Sequence, residues 1–230
     1  MIALARMRLI GFLRGGRALA PLITVLALLS ILFGGGASPA ASAYGYSAVC
    51  LFPILAWLAK LLLDTEPDAQ RRLARLAIGP VREAAAGLLA ALALAIGVCL
   101  LAMIAPWPFG AISPPGPGEP STATGVLLGL LAHLLSALGA VTLGALAGRA
   151  VTRRVLPGVA VLVSGSILVI VLGLRGSIAP WLVPPVMAVA RELGSGPAPG
   201  AARMMLLTAG TVLWCAVVLG IYARLRRSRS

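Results

Sequence analysis

Six stretches of this chain are apolar over nearly the length a membrane-crossing helix requires, and this pattern constrains the fold more than any other feature. They run from about 18 to 33, 43 to 63, 84 to 105, 124 to 147, 155 to 174 and 204 to 223. A spanning helix needs about 20 mostly apolar residues. The first stretch is short at its apolar core, and the residues before it extend it as an interfacial helix. Gly, Pro or charge bounds each stretch, which marks the turns. The runs are rich in Leu and Ala with no period-two alternation, so a β reading fails. Composition agrees: 60% of residues are hydrophobic and only 11% are charged, against about 45–50% and about 25% in soluble domains. A chain of this size has too much surface for the excess to be a larger soluble core. The expected fold is an all-α integral membrane protein, a single transmembrane domain over residues 1–230.

Orientation follows from the placement of Arg and Lys, because cytoplasmic loops carry the excess. Arg6, Arg8, Arg14 and Arg17 precede the first span. Lys60, Arg71, Arg72, Arg75 and Arg82 fall between the second and third, and Arg149, Arg153 and Arg154 between the fourth and fifth. Arg224, Arg226, Arg227 and Arg229 close the chain. Only Arg175, Arg191 and Arg203 fall on the other side, so both termini are expected in the cytoplasm. The Arg-bearing start, apolar run and Ala41-Ser42-Ala43 also resemble a secretory signal with a cleavage site. We read the run as a retained first span, since cleavage would leave five.

The formal charge of +13 raises the question of nucleic acid. That function requires a basic face with hydrogen-bonding and aromatic side chains among the charges. Here the Arg residues cluster at the ends of apolar runs, which reads as anchoring in a lipid bilayer; no nucleic-acid partner is expected. Cys50, Cys99 and Cys215 lie inside apolar runs without CxxC spacing, so neither a metal site nor a redox motif is indicated.

The outer connections differ in kind. Residues 34–42 are short and rich in Gly, Ser and Ala. Residues 106–121 are rich in Pro and Gly and are expected to be irregular, with Trp107 and Phe109 where an aromatic belt would place them. Residues 175–203 carry Trp181, Pro184-Pro185 and Arg191-Glu192. They are too short to cross and return as two full helices, so short helices dipping into the outer leaflet are expected.

The connection over residues 64–83 has the most informative pattern. Thr65 with Asp68 three residues on is a capping-box signature, and Pro67 suits a first turn. A short helix is expected from near 67 to near Gly79-Pro80. Ala69, Leu73, Leu76 and Ala77 fall on one face, while Asp68, Arg71, Arg72 and Arg75 fall largely on another. Such a helix lies along the cytoplasmic surface, and an ordinary basic loop helix resting on anionic headgroups has the same form.

A second span, an acidic start, an amphipathic helix and Gly79-Pro80-Val81-Arg82-Glu83 opening a Gly87-containing third span together resemble the ABC-2 family of ATP-driven exporter permeases. The six spans, inward termini, basic N-terminal segment and outer half-helices before the last span are similar to that family too. The motif covers residues 64–87, and residues 65–78 are richer in Arg and Ala than the helix common there. The resemblance implies a coupling helix docking on a cytoplasmic ATPase through Glu66, Asp68, Arg71, Arg72, Arg75, Arg82 and Glu83. It also implies an interfacial helix over residues 1–17, a second copy of this chain and a re-entrant segment over 175–203. Arg6, Arg14 and Arg17 share one arc of the N-terminal helix, and Arg8 falls elsewhere.

Other motifs limit the chemistry. A P-loop needs GxxxxGK[ST], and the sole lysine, Lys60, stands between Ala59 and Leu61. The chain is therefore not expected to be an enzyme: no catalytic residues, no metal and no cofactor are assigned to it, and ATP and Mg would be bound by two copies of a separate P-loop ATPase. His133 is mid-span, either an intramembrane polar site or a neutral His bonded between helices. No acidic residue lies deep in a span, which weighs against proton-coupled transport. Gly125 and Gly129, with Gly144 and Gly148, have the small-residue spacing that lets helices approach closely, within one chain or between two. The expected function is export of a hydrophobic or amphiphilic substrate. The alternative is a non-transporting scaffold or assembly subunit. Low Lys with high Arg and Ala points to a GC-rich bacterial genome, hence to a bacterial cytoplasmic membrane.

Overall fold

The computed structural model describes residues 1–227, apart from the side chain of Asp68. Arg229 of the basic tail lies outside the described residues. The apolar stretches form helices α2 (Leu19–Gly34), α3 (Ala40–Asp64), α5 (Pro80–Ile104), α6 (Thr122–Ala147), α8 (Val155–Leu172) and α10 (Ala201–Arg227). Shorter helices are α1 (Ile2–Arg14), α4 (Asp68–Ile78), α7 (Arg149–Thr152) and α9 (Val186–Leu193). Among the described residues, five helices are long and apolar enough to cross a membrane, or six if α1 and α2 make one bent span. Alone, α2 has 16 residues, about 24 Å at 1.5 Å per residue, less than the roughly 30 Å of a hydrocarbon core. α1 turns 78° away from it.

α3 and α6 form the centre of the bundle, and glycine makes their approach possible. A methyl at Gly144 would come within 2.6 Å of the Ala56 carbonyl and 2.7 Å of Ala59 Cβ. At Gly125 it would meet the Ala41 amide at 2.8 Å, and at Gly129 it would overlap the Tyr44 side chain. Without water to drive helices together, such close packing is what holds a bundle in lipid. Gly148 has a different place: it ends α6 beside Asp64. α5 packs on both central helices. α8 and α10 are the least buried spans and expose Val163, Ile167, Leu206 and Leu213, the apolar exterior a lipid-embedded chain requires.

At one end, the two Gly- and Pro-rich connections are joined. Ser38–Pro39 (β1) pairs in parallel with Ile112–Ser113 (β2), and the Ser38 amide donates to the Ala111 carbonyl at 3.0 Å. The 106–121 segment, expected to be irregular, thus carries one fixed point. Residues 175–203 hold a single 3-10 turn at Pro180–Leu182 and α9. Val186, Val189 and Leu193 of α9 are buried, and α9 packs on α3 and α6. Trp214 Nε1 donates to the Leu182 carbonyl at 2.8 Å.

At the other end, the end of α3, the start of α5, the end of α6 and the last turns of α10 gather, with α1 and α4 beside them. We call this the basic end. The capping box expected there involves the side chain of Asp68, which lies outside the described residues. Pro67 is the N-cap residue of α4, with no side-chain cap bond. Thr65 is still in a helical conformation at the end of α3, and its hydroxyl donates to the Leu61 carbonyl at 2.7 Å.

Candidate functional site

The basic end is built around Glu83, in the first turn of α5. Gly79 sets its position. Its φ of +83° and ψ of 158° are open to glycine and strained for any other residue, so the chain turns sharply from α4 into α5. The Gly79 amide closes α4 on the Arg75 carbonyl at 2.9 Å, and its own carbonyl accepts from the Glu83 amide at 3.1 Å. Pro80 then occupies the first turn of α5, where its missing N–H costs nothing.

The Glu83 carboxylate is almost fully buried and gathers three guanidinium groups from three segments. Arg8 of α1 donates to Oε1 at 2.7 Å, Arg75 of α4 lies at 3.4 Å from Oε2, and Arg226 of α10 pairs with Oε2 as well. Arg8 also donates from Nη1 to the Glu83 carbonyl at 2.9 Å. Its other edge grips Glu66, with Nε to Oε1 at 2.7 Å and Nη2 to Oε2. Burial opposes the charge on Arg8, but the Glu66 and Glu83 carboxylates outweigh it and raise its pKa above the ordinary value. Buried charges are tolerated only when paired and hydrogen-bonded in this way, and a carboxylate in a first helical turn gains from the helix dipole. Arg226 also donates to the Tyr222 hydroxyl at 2.8 Å.

A second knot lies alongside. Lys60 pairs with Asp64 at 2.7 Å. Asp64 Oδ1 accepts from the Arg149 amide at 2.7 Å, and the Arg149 side chain reaches the Asp64 carbonyl. Arg71 Nη2 donates to the Leu63 carbonyl at 3.0 Å. The end of α3 is thereby fastened to α7 and α4.

The residues the sequence singled out in this loop therefore divide. Glu66, Arg71, Arg75 and Glu83 face inward and tie elements together. Arg72 and Arg82 are exposed. The side chain of Asp68 lies outside the described residues. On α4 it is the apolar face that turns outward: Leu73 is 66% exposed and Leu76 is 86% exposed. Between this helix and α1 runs a groove of about 590 Å³, lined by Leu4, Met7, Phe12, Leu73 and Ala77 among others.

Sequence reasoning missed Arg8, Arg226 and the Asp64 knot. For Arg8 a signal existed. It shares a helical face with Ala5, Leu9 and Phe12, which pack into the core, while Arg6, Arg14 and Arg17 lie elsewhere.

His133 stands apart from the basic end and has no exposure at all. Its Nδ1 is 2.8 Å from the Gly129 carbonyl, which can only accept, so Nδ1 carries the proton. Nε2 lies 3.2 Å from the Ser47 hydroxyl. The ring meets Tyr44 edge-on at 6.1 Å, and Tyr44 donates to the Met103 carbonyl at 2.8 Å. This arrangement bonds α3, α5 and α6 to one another, with both ring nitrogens occupied.

A second groove, of about 560 Å³, runs between α3 and α8. Pro53, Trp57, Val163 and Ile167 line it, with Lys60 and Ser166. The Ser166 hydroxyl is buried without a hydrogen-bond partner among the described residues. No family model, curated protein or solved structure matches this chain.

Proposed function

We propose that the chain is the membrane-spanning permease subunit of an ABC-2-like exporter, driven by a separate cytoplasmic ATPase, with the basic end in the cytoplasm. The observation that carries this reading is the construction of the 64–83 loop. A short helix turns Leu73 and Leu76 to the outside, and the same segment is fastened by Arg75 and Glu83 to α1, α5 and α10. A surface helix that only rested on headgroups would need no such linkage. In this reading, two ATPase subunits bind ATP and Mg, and their approach pushes on α4. Gly79 passes the displacement to α5, and the Glu83 network passes it to α1 and α10. Two copies of the chain enclose the pathway. The α3–α8 groove, apolar apart from Ser166 and Lys60, suits a hydrophobic or amphiphilic cargo carried outward.

The division of the loop residues decides which variants test this. Reversing Arg71 or Arg75 would disturb internal bonds, whereas Leu73→Glu with Leu76→Glu alters only the exposed face. The tagged chain is purified in mild detergent and its partners identified by mass spectrometry. A P-loop ATPase that accompanies the wild type and is lost with the double variant supports the exporter. If no ATPase accompanies the chain in any of several detergents, the scaffold reading takes its place.

A further inference from the structure

We propose that Glu83 is an exchange point: Arg226 of α10 and Arg75 of α4 compete for its Oε2 atom, so that α4 and the end of α10 are fastened in alternation. Three guanidinium groups meet this carboxylate, but not alike. Arg8 takes Oε1 and the Glu83 carbonyl and also holds Glu66, so it stays in place. Oε2 is left to the other two. Arg226 pairs with it directly, while Arg75 Nε stands off at 3.4 Å, beyond the about 2.7–3.2 Å of an ordinary N–H···O bond. A carboxylate oxygen has room for two donors. Two cations drawn to one buried atom nevertheless repel each other, because little water screens them there. One close and one loose partner is the arrangement that repulsion favours.

Each arginine has somewhere else to go, which an exchange requires. Arg226 keeps a partner within its own helix. It donates to the Tyr222 hydroxyl at 2.8 Å, four residues back, and its guanidinium lies 5.8 Å from the centre of the Tyr222 ring, within cation–π range. Arg75 is partly open to water. The helix that carries it is lightly held: of its described side chains only Arg71 is buried. Gly79 hinges it to α5, with nothing within 4 Å of the position a Cβ would take. When α4 swings toward α5, Arg75 closes on Oε2 and Arg226 falls back on Tyr222. When α4 swings away, Arg226 holds the end of α10. That a push on α4 thereby releases α10 rests on the exporter reading. The exchange itself is a property of the chain alone and is measured without the ATPase, so either can fail without the other.

The test is hydrogen–deuterium exchange of the purified full chain in detergent, read by mass spectrometry, which reports local opening of each helix. Arg226→Gln leaves Oε2 to Arg75. It is expected to slow exchange in α4 about threefold, the size of one partly exposed ion pair gained, while the last turns of α10 exchange faster. Arg75→Gln is expected to do the reverse, slowing the end of α10 and loosening α4. A fixed network predicts instead that the loss of either arginine loosens both segments. Faster exchange in both segments, or no change in the segment that keeps its arginine, overturns the proposal. Tyr222→Phe leaves Glu83 and both arginines in place and removes only the alternative hydroxyl of Arg226. It is expected to hold Arg226 on Glu83 and to speed exchange in α4. Unchanged exchange in α4 overturns the proposal as well, and this variant decides the matter if Arg226→Gln does not fold.

Discussion

Arg8 and Glu83 are seventy-five residues apart in the chain and 2.7 Å apart in the structure. Their contact joins the N-terminal helix to the turn between α4 and α5, and the other guanidinium edge of Arg8 carries Glu66 into the same knot. Removing Glu83 leaves three arginines around one vacated acceptor. Glu83→Gln is expected to destabilise the folded chain by about 3–5 kcal/mol, the usual cost of breaking a buried ion pair from one side. Arg75→Gln is expected to cost less, because its contact is 3.4 Å long and its side chain is 23% exposed. Thermal unfolding in detergent orders the two; equal losses would mean that Arg75 carries as much of the network as Arg8 and Arg226.

Gly79 gives a separable effect. Nothing lies within 4 Å of the position a Cβ would take there, so only the backbone opposes substitution. Gly79→Ala is expected to cost about 1–3 kcal/mol through its positive φ and to blunt transmission from α4 to α5. ATPase co-purification is then retained while ATP-driven transport in vesicles falls. Loss of both together would show that Gly79 shapes the docking face itself.

Close packing of α3 against α6 predicts a sharp contrast among glycines. Gly144→Ala meets backbone and Cβ atoms at 2.6–2.7 Å and is expected to destabilise by about 1–3 kcal/mol, as overpacking does. Gly97, within α5, has nothing within 4 Å; Gly97→Ala is expected to be neutral or to stabilise by up to about 1 kcal/mol through helix propensity. Unfolding midpoints measured side by side check the contrast, and an equal response at both sites would remove the packing explanation.

The spans were legible in the sequence because each is a long apolar run, and α5 and α10 differ from expectation mainly at their ends. Pro80 and Ala201 start those helices earlier than hydropathy suggests, since capping and helix propensity, rather than apolarity, fix the boundary. The 64–83 helix was legible from its periodicity. Its exact start was not, because Thr65 continues the helical turn of α3 and Pro67 takes the N-cap position, a continuity that spacing alone cannot reveal. The Ser38–Ile112 pairing was invisible, since two residues of strand leave no pattern. The inward role of Arg8 was readable in principle from its place among Ala5, Leu9 and Phe12. That of Arg226 depends on where α10 ends in space.

The most direct measurement is photo-crosslinking from position 76, with a photoreactive amino acid replacing Leu76, in membranes that contain the full complement of cellular proteins. Leu76 is 86% exposed, so the substitution leaves the fold intact. A crosslink to a P-loop ATPase, mapped by mass spectrometry to a surface groove of that subunit, is expected. Crosslinks to lipid alone, with no ATPase under conditions of active export, would contradict the exporter reading and leave α4 as a helix that rests on the membrane surface.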